Sequence, residues 1–390
     1  MKVAIVVNEL NICGGTHKQI LRLCQYLEKK GVSLVICTKY YAPHLTYPQF
    51  QKYEILYLKS EPTVFFNSKG SIKNKIRNQY KIYSEQKNLY RLIPVDIDII
   101  NVHDNGLEYV IHLAKKDCRK VVFQINDLPL YFRVGVHSDL SDNIKYKIHR
   151  YVYKKMIKHV DIVTVNVTKN KECVKRCLDK DAIVLYCGVD NNPKLKMHTQ
   201  LQKERPYHIL STGVFYPYRN YETLINVTEI LLQKGLEIHL DIMGATETSV
   251  NYADSIKKLI DQKALSDNVT VWGQVNDDTY IDLFGKTDIF VFVNINQSWG
   301  LAVFEAMSCG IPTIVSNSVG AIELLHDESD ALIVEPRNEK EVAEKICKLI
   351  EEPNYYFMLS RNAASVVKNF TWDRLYCSKA LEIFTELCKN

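Results

Sequence analysis

The chain lacks the features that mark several large classes of protein. No apolar run approaches the roughly 18 residues that a membrane-spanning helix needs, and MKVAIVVNEL turns polar too early for a secretory leader. Both absences point to a cytoplasmic protein. Eleven cysteines are present, an odd number without a CxxC pair, which argues against a disulfide framework and a zinc site. Cys173 and Cys177 stand four apart on a predicted helix with no nearby His or second pair, and read as reduced thiols. No G-x-G-x-x-G opens the first helix, so an NAD-linked oxidoreductase on a dinucleotide fold is missing its fingerprint. Low-complexity tracts are absent, and nothing resembles a nucleic-acid recognition module.

What is present is globular. With 390 residues, 46% of them hydrophobic and 24% charged, the chain can build two domains with substantial cores. The net charge of +5 hides an asymmetry. Residues 1–190 hold 31 Lys/Arg against 18 Asp/Glu, and residues 191–390 hold 19 against 27, so the halves should meet different partners. Two basic, Tyr-rich segments, 69–91 and 145–159, carry much of the positive half. Helices of this composition can lie on an anionic membrane surface or meet a polyanionic acceptor; a solvated helix face is the alternative.

Strand and helix signals alternate along both halves. Strands are expected at 2–7, 33–38, 97–102, 120–125 and 161–166, with an amphipathic helix after Gly14-Gly15, whose lack of side chains lets a ligand approach the backbone. In a doubly wound sheet ligands bind beyond the carboxyl ends of the strands, where His103-Asp104 and Asn126-Asp127 fall. A polar stretch at 191–206 reads as a linker. A second alternation then begins at Tyr207, with Arg219 at a helix start and Asn220 as its expected cap.

The densest chemistry lies in Asp288–Ser316, DIFVFVNINQSWGLAVFEAMSCGIPTIVS. A buried strand, a polar loop, a helix from about Gly300 and a strand TIVS make a parallel βαβ unit, with Gly310 and Pro312 stopping the helix. Gly300 and Leu301 offer backbone N–H groups to an anion. Glu305 is the one carboxylate in an apolar helix, where a pair of sugar hydroxyls would satisfy it.

This stretch resembles the donor signature of glycosyltransferase family 4, enzymes of the two-domain GT-B fold that move sugars from nucleotide-sugar donors with retention. The family pattern is Glu-Gly-Phe-Gly-Leu, three residues, Glu-Ala-Met, then Cys-Gly-x-Pro. Here Gln297, Ser298, Trp299, Gly300 and Leu301 precede Glu305-Ala306-Met307, Cys309-Gly310 and Pro312. The resemblance implies an α/β GT-B architecture, two doubly wound Rossmann-like domains facing across a cleft. Residues 1–190 would form the acceptor-side domain and 207–370 the donor domain, with 371–390 crossing back as a helix. It implies a UDP- or GDP-sugar donor, a glycan, lipid-linked or polyanionic hydroxyl acceptor, and no metal or cofactor.

Residue by residue, the resemblance assigns Glu305 to the ribose, and Arg219, Gly300, Leu301, Gly14 and Gly15 to the diphosphate. Gln274 and Val275 lie where the family reads the base, and Gln297 contacts the sugar. His103 matches a less demanding position near the reacting centre. Three positions depart: Asn126 stands where the family has a functional His, Val214 where it has an Arg, and Gln297 where it has a Glu. Cys187 replaces the Asn of the family's interdomain junction. Asn cannot titrate, so any proton transfer at position 126 is lost. The alternative is an impaired homologue that binds a nucleotide sugar or a partner enzyme without turnover.

Overall fold

The structure is a computed structural model. It describes residues 1–59, 72–103, 105–127, 129, 132, 140–190, 197, 201 and 206–389, and for 72–76 and 140–146 the backbone only. Most of the expected linker, Asp104 and the first residues of the 69–91 segment therefore lie outside the described residues.

Two compact units divide the chain: Met1–Cys187 with Trp372–Asn390, and Gly188–Thr371. The first alternates β1 (Lys2–Leu10), α1 (Gly15–Lys29), β2 (Ser33–Tyr41), β3 (Ile55–Lys59), α2 (Ile72–Leu92), β4 (Ile99–His103) and α3 (Glu108–Lys116). It continues with β5 (Val121–Ile125), α4 (Leu140–Ile157), β6 (Ile162–Val165), α5 (Thr168–Leu178) and β7 (Ala182–Val184). Its sheet order is β3-β2-β1-β4-β5-β6-β7, every pairing parallel. β4 and β5 are buried at every residue, the pattern of a strand covered on both faces by helices.

The second unit runs β8 (Tyr207–Thr212), α6 (Tyr221–Gln233), β9 (Ile238–Met243), α7 (Val250–Gln262), β10 (Val269–Gly273), α8 (Asp277–Lys286) and β11 (Ile289–Phe292). Then come α9 (Leu301–Ser308), β12 (Thr313–Ser316), β13 (Leu332–Val334), α10 (Glu339–Glu351) and α11 (Pro353–Val367). The sheet order β10-β9-β8-β11-β12-β13 is again all parallel and reverses direction between β8 and β11. That reversal is where open α/β sheets leave a crevice for ligands.

The last segment returns to the first unit. One π-helical turn (Asp373–Cys377) leads into α12 (Ser378–Lys389), burying Trp372, Tyr376, Cys377 and Phe384. Lys120 donates to the carbonyls of Leu387 at 2.8 Å and Cys388 at 3.3 Å, a cation at the C-terminal end of α12 where the helix dipole favours one.

The two basic segments are helical over 72–91 and 145–157. On α4, Ile148 is 60% and Tyr151 67% exposed, flanked by exposed Lys147, Arg150, Lys154 and Lys155. No helix among the described residues is long and apolar enough to cross a membrane.

Candidate active site

In the second unit the site is built around a buried arginine. Arg219 ends a short 3-10 turn after β8, and its side chain folds back beneath the strand end. Its Nε donates to the carbonyl of Val214 at 3.2 Å. The Asn294 amide, beyond β11, accepts from Arg219 Nη1 at 2.8 Å and donates to the Arg219 carbonyl at 3.1 Å. The guanidinium also lies 5.1 Å from the Tyr218 ring and 5.9 Å from that of Phe292. Among the described residues no carboxylate pairs with it. A buried cation held only by carbonyls, an amide and aromatic rings keeps N–H groups and charge for an anion.

Glycines make room for this. A Cβ on Gly213 would stand 2.5 Å from the guanidinium carbon, and its φ of +148° already disfavours a side chain. A Cβ on Gly244 would collide with the Gly213 carbonyl. The ends of β8, β9 and β10 thus close up through backbone alone, with Gly213 N donating to Met243 and Gly244 N to Gly273.

Gly300 caps α9 at φ +127°, where a Cβ would crowd Val319 and Phe292 at 3.1 and 3.2 Å. The helix opens at Leu301 with the outward N–H groups that every helix start leaves. Glu305 is half-buried one turn on, and the Tyr280 hydroxyl donates to its Oε2 at 3.3 Å. Burial and the neighbouring carboxylate push the Tyr280 phenol well above its usual pKa, so it stays a donor. Gln297 is half-buried, and its backbone carbonyl accepts from Gly320 at 3.0 Å. Past β10, Gln274 is exposed and Val275 half-buried. The Trp299 ring is 4% exposed and packs on Phe304 at 5.2 Å between centroids.

One expectation is corrected. Asn220 precedes α6 but makes no side-chain cap: at φ 58° it is left-handed, and its amide donates to the carbonyls of Val293 at 3.0 Å and Pro336. It ties three loops together instead of closing one helix, because the left-handed backbone turns its side chain away from the first N–H groups of α6.

In the first unit Asn126 sits at the end of β5 in a network of amides. Its Nδ2 donates to Gln19 Oε1 at 2.8 Å and Thr16 Oγ1 at 3.3 Å, and its Oδ1 accepts from Gln124 Nε2 at 3.0 Å. Asn170 on α5 donates to the Asn126 carbonyl at 3.0 Å. Gln124 Oε1 in turn accepts from Thr164 at 2.7 Å and Tyr376 at 3.4 Å. Gln19 reaches the other departure as well, donating to Cys187 Sγ at 3.7 Å.

The Gly14-Gly15 loop opens α1 beside this network, with Gly14 as the helix cap. His17, next in that helix, donates from Nε2 to the Glu9 carbonyl at 2.7 Å, and burial lowers its pKa. His103 is fully buried in β4, with Nε2 donating to Asn101 Oδ1 at 2.7 Å and Nδ1 unpartnered among the described residues. Burial first and His17 second push its pKa down to about 3, so the ring is neutral.

Asn294, Tyr280, Gln19 and Gln124 are the residues that sequence reasoning missed. The only sequence signal for Asn294 was its place directly after the IFVFV strand; the two glutamines gave none. Among the described residues no three His, Cys, Asp or Glu side chains gather to hold a metal ion.

Comparison with known proteins agrees along the chain. Residues 13–192 match the model for Glycosyltransferase Family 4, and residues 194–366 that for Glycosyl transferases group 1. The capsular polysaccharide biosynthesis glycosyltransferase CapM of Staphylococcus aureus is 23% identical over 254 residues, 62% of this chain and 65% of that protein. The match thus spans just under two thirds of that relative. Among solved structures, sucrose-phosphate synthase from Thermosynechococcus elongatus superposes with a TM-score of 0.78 at 16% identity, covering 99% of both chains. HepE of Anabaena in complex with UDP gives 0.73 at 14%, covering 99% of this chain and all of that one. At these identities the structural likeness speaks for the fold.

Proposed function

The chain belongs to glycosyltransferase family 4 and has the GT-B fold, and from that premise we propose that it transfers a hexosyl group from a UDP- or GDP-sugar to a hydroxyl acceptor with retention of anomeric configuration. The observation that carries this reading is Arg219, a buried guanidinium without an acidic partner among the described residues, at the sheet's reversal point. The leaving diphosphate gains charge in the transition state, and a fixed cation beside the start of α9 stabilises that charge more than the ground state. Glu305 accepts from the ribose hydroxyls, with Tyr280 steadying the carboxylate. Gln274 and Val275 border the base, and Gln297 meets sugar hydroxyls with a neutral amide where the family uses a carboxylate, which changes donor preference. Gly14 and Gly15 expose backbone at the start of α1 to the substrates. No metal is needed in this reading, since the guanidinium and the helix start supply the positive field.

The UDP complex of HepE and the capsule role of CapM support a uridine donor and a surface-polymer or lipid-linked acceptor. We place the reaction in the cytoplasm, with the basic helices α2 and α4 touching an anionic membrane face. Asn126 holds its place through amides and moves no proton, so turnover depends on electrostatic stabilisation.

Nucleotide release from a panel of UDP-, GDP- and ADP-sugars tests the reading, with Arg219→Ala as control and the product anomer assigned by NMR. Release that persists in the variant, or an inverted product, overturns it.

A further inference from the structure

Helix α5 carries a pair of thiols that the glycosyl-transfer chemistry does not use. Cys173 and Cys177 lie four residues apart on one helix face, both half-buried, with their sulfurs 3.6 Å apart. Cys13 and Cys118, by contrast, are exposed and far apart in sequence.

A disulfide does not fit this spacing. Helical neighbours four apart keep their Cβ atoms about 5–6 Å from each other, whereas a disulfide needs about 3.5–4.5 Å. A single atom bound to both sulfurs fits well. With bonds of about 2.3 Å, the length of a metal–thiolate bond, sulfurs 3.6 Å apart subtend about 103° at the bridging atom. That is a pyramidal or tetrahedral angle and excludes a linear two-coordinate ion. Among the described residues no third His, Cys, Asp or Glu completes a metal site, so the bridging atom must bring its remaining substituent with it.

One cation reaches the pair. Arg176 Nη2 approaches Cys173 Sγ at 3.7 Å. Burial and the neighbouring thiol raise the Cys173 pKa, and Arg176 opposes them. Lys175, between the two cysteines in sequence, is paired instead with Asp181 at 3.0 Å.

We propose that Cys173 and Cys177 form a two-sulfur site for a trivalent metalloid of the arsenical class. The step is condensation without redox change. Each thiol gives up its proton, two As–S bonds form, and the oxide oxygen of R–As=O leaves with both protons as water. The site lies one helical turn beyond Asn170, the residue that holds the Asn126 carbonyl, but the proposal does not rest on the donor chemistry.

Titration of the reduced full-length chain with phenylarsine oxide, followed by intact-mass spectrometry, tests it. One equivalent is expected to remain in excess monothiol and to leave with a dithiol such as dimercaptopropanol. Cys173→Ser and Cys177→Ser should each weaken that adduct by about 10²–10⁴, the loss of a tethered second contact. Cys13→Ser and Cys118→Ser should leave it unchanged. A monothiol-labile adduct on the native chain, an adduct that survives both helix variants, or a spontaneous Cys173–Cys177 disulfide overturns the proposal.

Discussion

The centres of the two units are polar in opposite ways. Around Asn126 the first unit gathers side-chain amides and hydroxyls whose donors and acceptors satisfy one another. Around Arg219 the second gathers carbonyls, an amide and rings about a cation whose charge no described acid answers. A closed neutral network holds geometry; an open cation binds. The departures from the family pattern divide the same way. Asn126 and Cys187 are joined by Gln19 and form a linked set, while Val214 still serves Arg219 through its backbone carbonyl.

The largest expected effect comes from emptying the second centre. Arg219→Ala should lower kcat/KM for the donor by about 100- to 1,000-fold, read as nucleotide release, with the circular dichroism unchanged. Arg219→Lys should fall between, because an ammonium cannot keep the fork to Val214 and Asn294 while facing a phosphate. Less than a threefold change in the alanine variant would remove the cation from the mechanism.

Gly213→Ala attacks the same centre through the backbone. Its Cβ would press on the guanidinium at a φ of +148°, costing about 1–3 kcal/mol in a urea melt and displacing Arg219. Activity should therefore fall with Arg219 still present. An alanine that lowers stability alone would show that the guanidinium position is not critical.

His103 sharpens the contrast by pH. The folded chain keeps it neutral down to about 3, whereas the unfolded chain protonates it near 6.5. The resulting stabilisation is whole above pH 6.5 and is lost as pH falls toward 3, about 2 kcal/mol by pH 5. His103→Gln should flatten this acid limb, with His17 supplying a remainder of the same sign. An unchanged limb would mean that His103 is open to protonation in the native chain.

The smallest effect is a coupling. Asn126→Ala leaves Gln19 Oε1 and Gln124 Nε2 without their partner, and Gln19→Ala should then cost less than it does alone. A double-mutant cycle should return about 0.5–1.5 kcal/mol, with donor KM unmoved. Full additivity would mean that the amides do not act as a unit.

Much of this architecture was legible in the sequence. The strands around Ile5, Ile100, Phe123 and Val163 and the TIVS strand stand out because each is buried along most of its length and is built mainly of β-branched apolar residues. β3 did not stand out: ILYLK is an edge strand, half-buried at best, and alternates no more than a surface loop does. Among the candidate residues, Gly300 and Glu305 leave local marks, a glycine at a helix start and a lone carboxylate in an apolar helix, whereas Arg219 was named through the family pattern. Asn294 and Gln19 were not legible, since an amide shows its role only through the partner that folding brings to it. Asn220 misled for a related reason: its residue type favours a cap, but a left-handed backbone turned the amide toward Val293 and Pro336.

The chain's route has a consequence for its synthesis. It leaves the first unit after Cys187 and rejoins it at Trp372, and a parallel bridge between Val189 and Thr371 sets the outgoing and returning strands side by side. The first unit's core therefore stays unfinished until 372–384 has been made, with the apolar bed for Tyr376 and Phe384 uncovered, while the second unit can already close. A stop codon before Trp372 would spare the second unit and expose the first to aggregation.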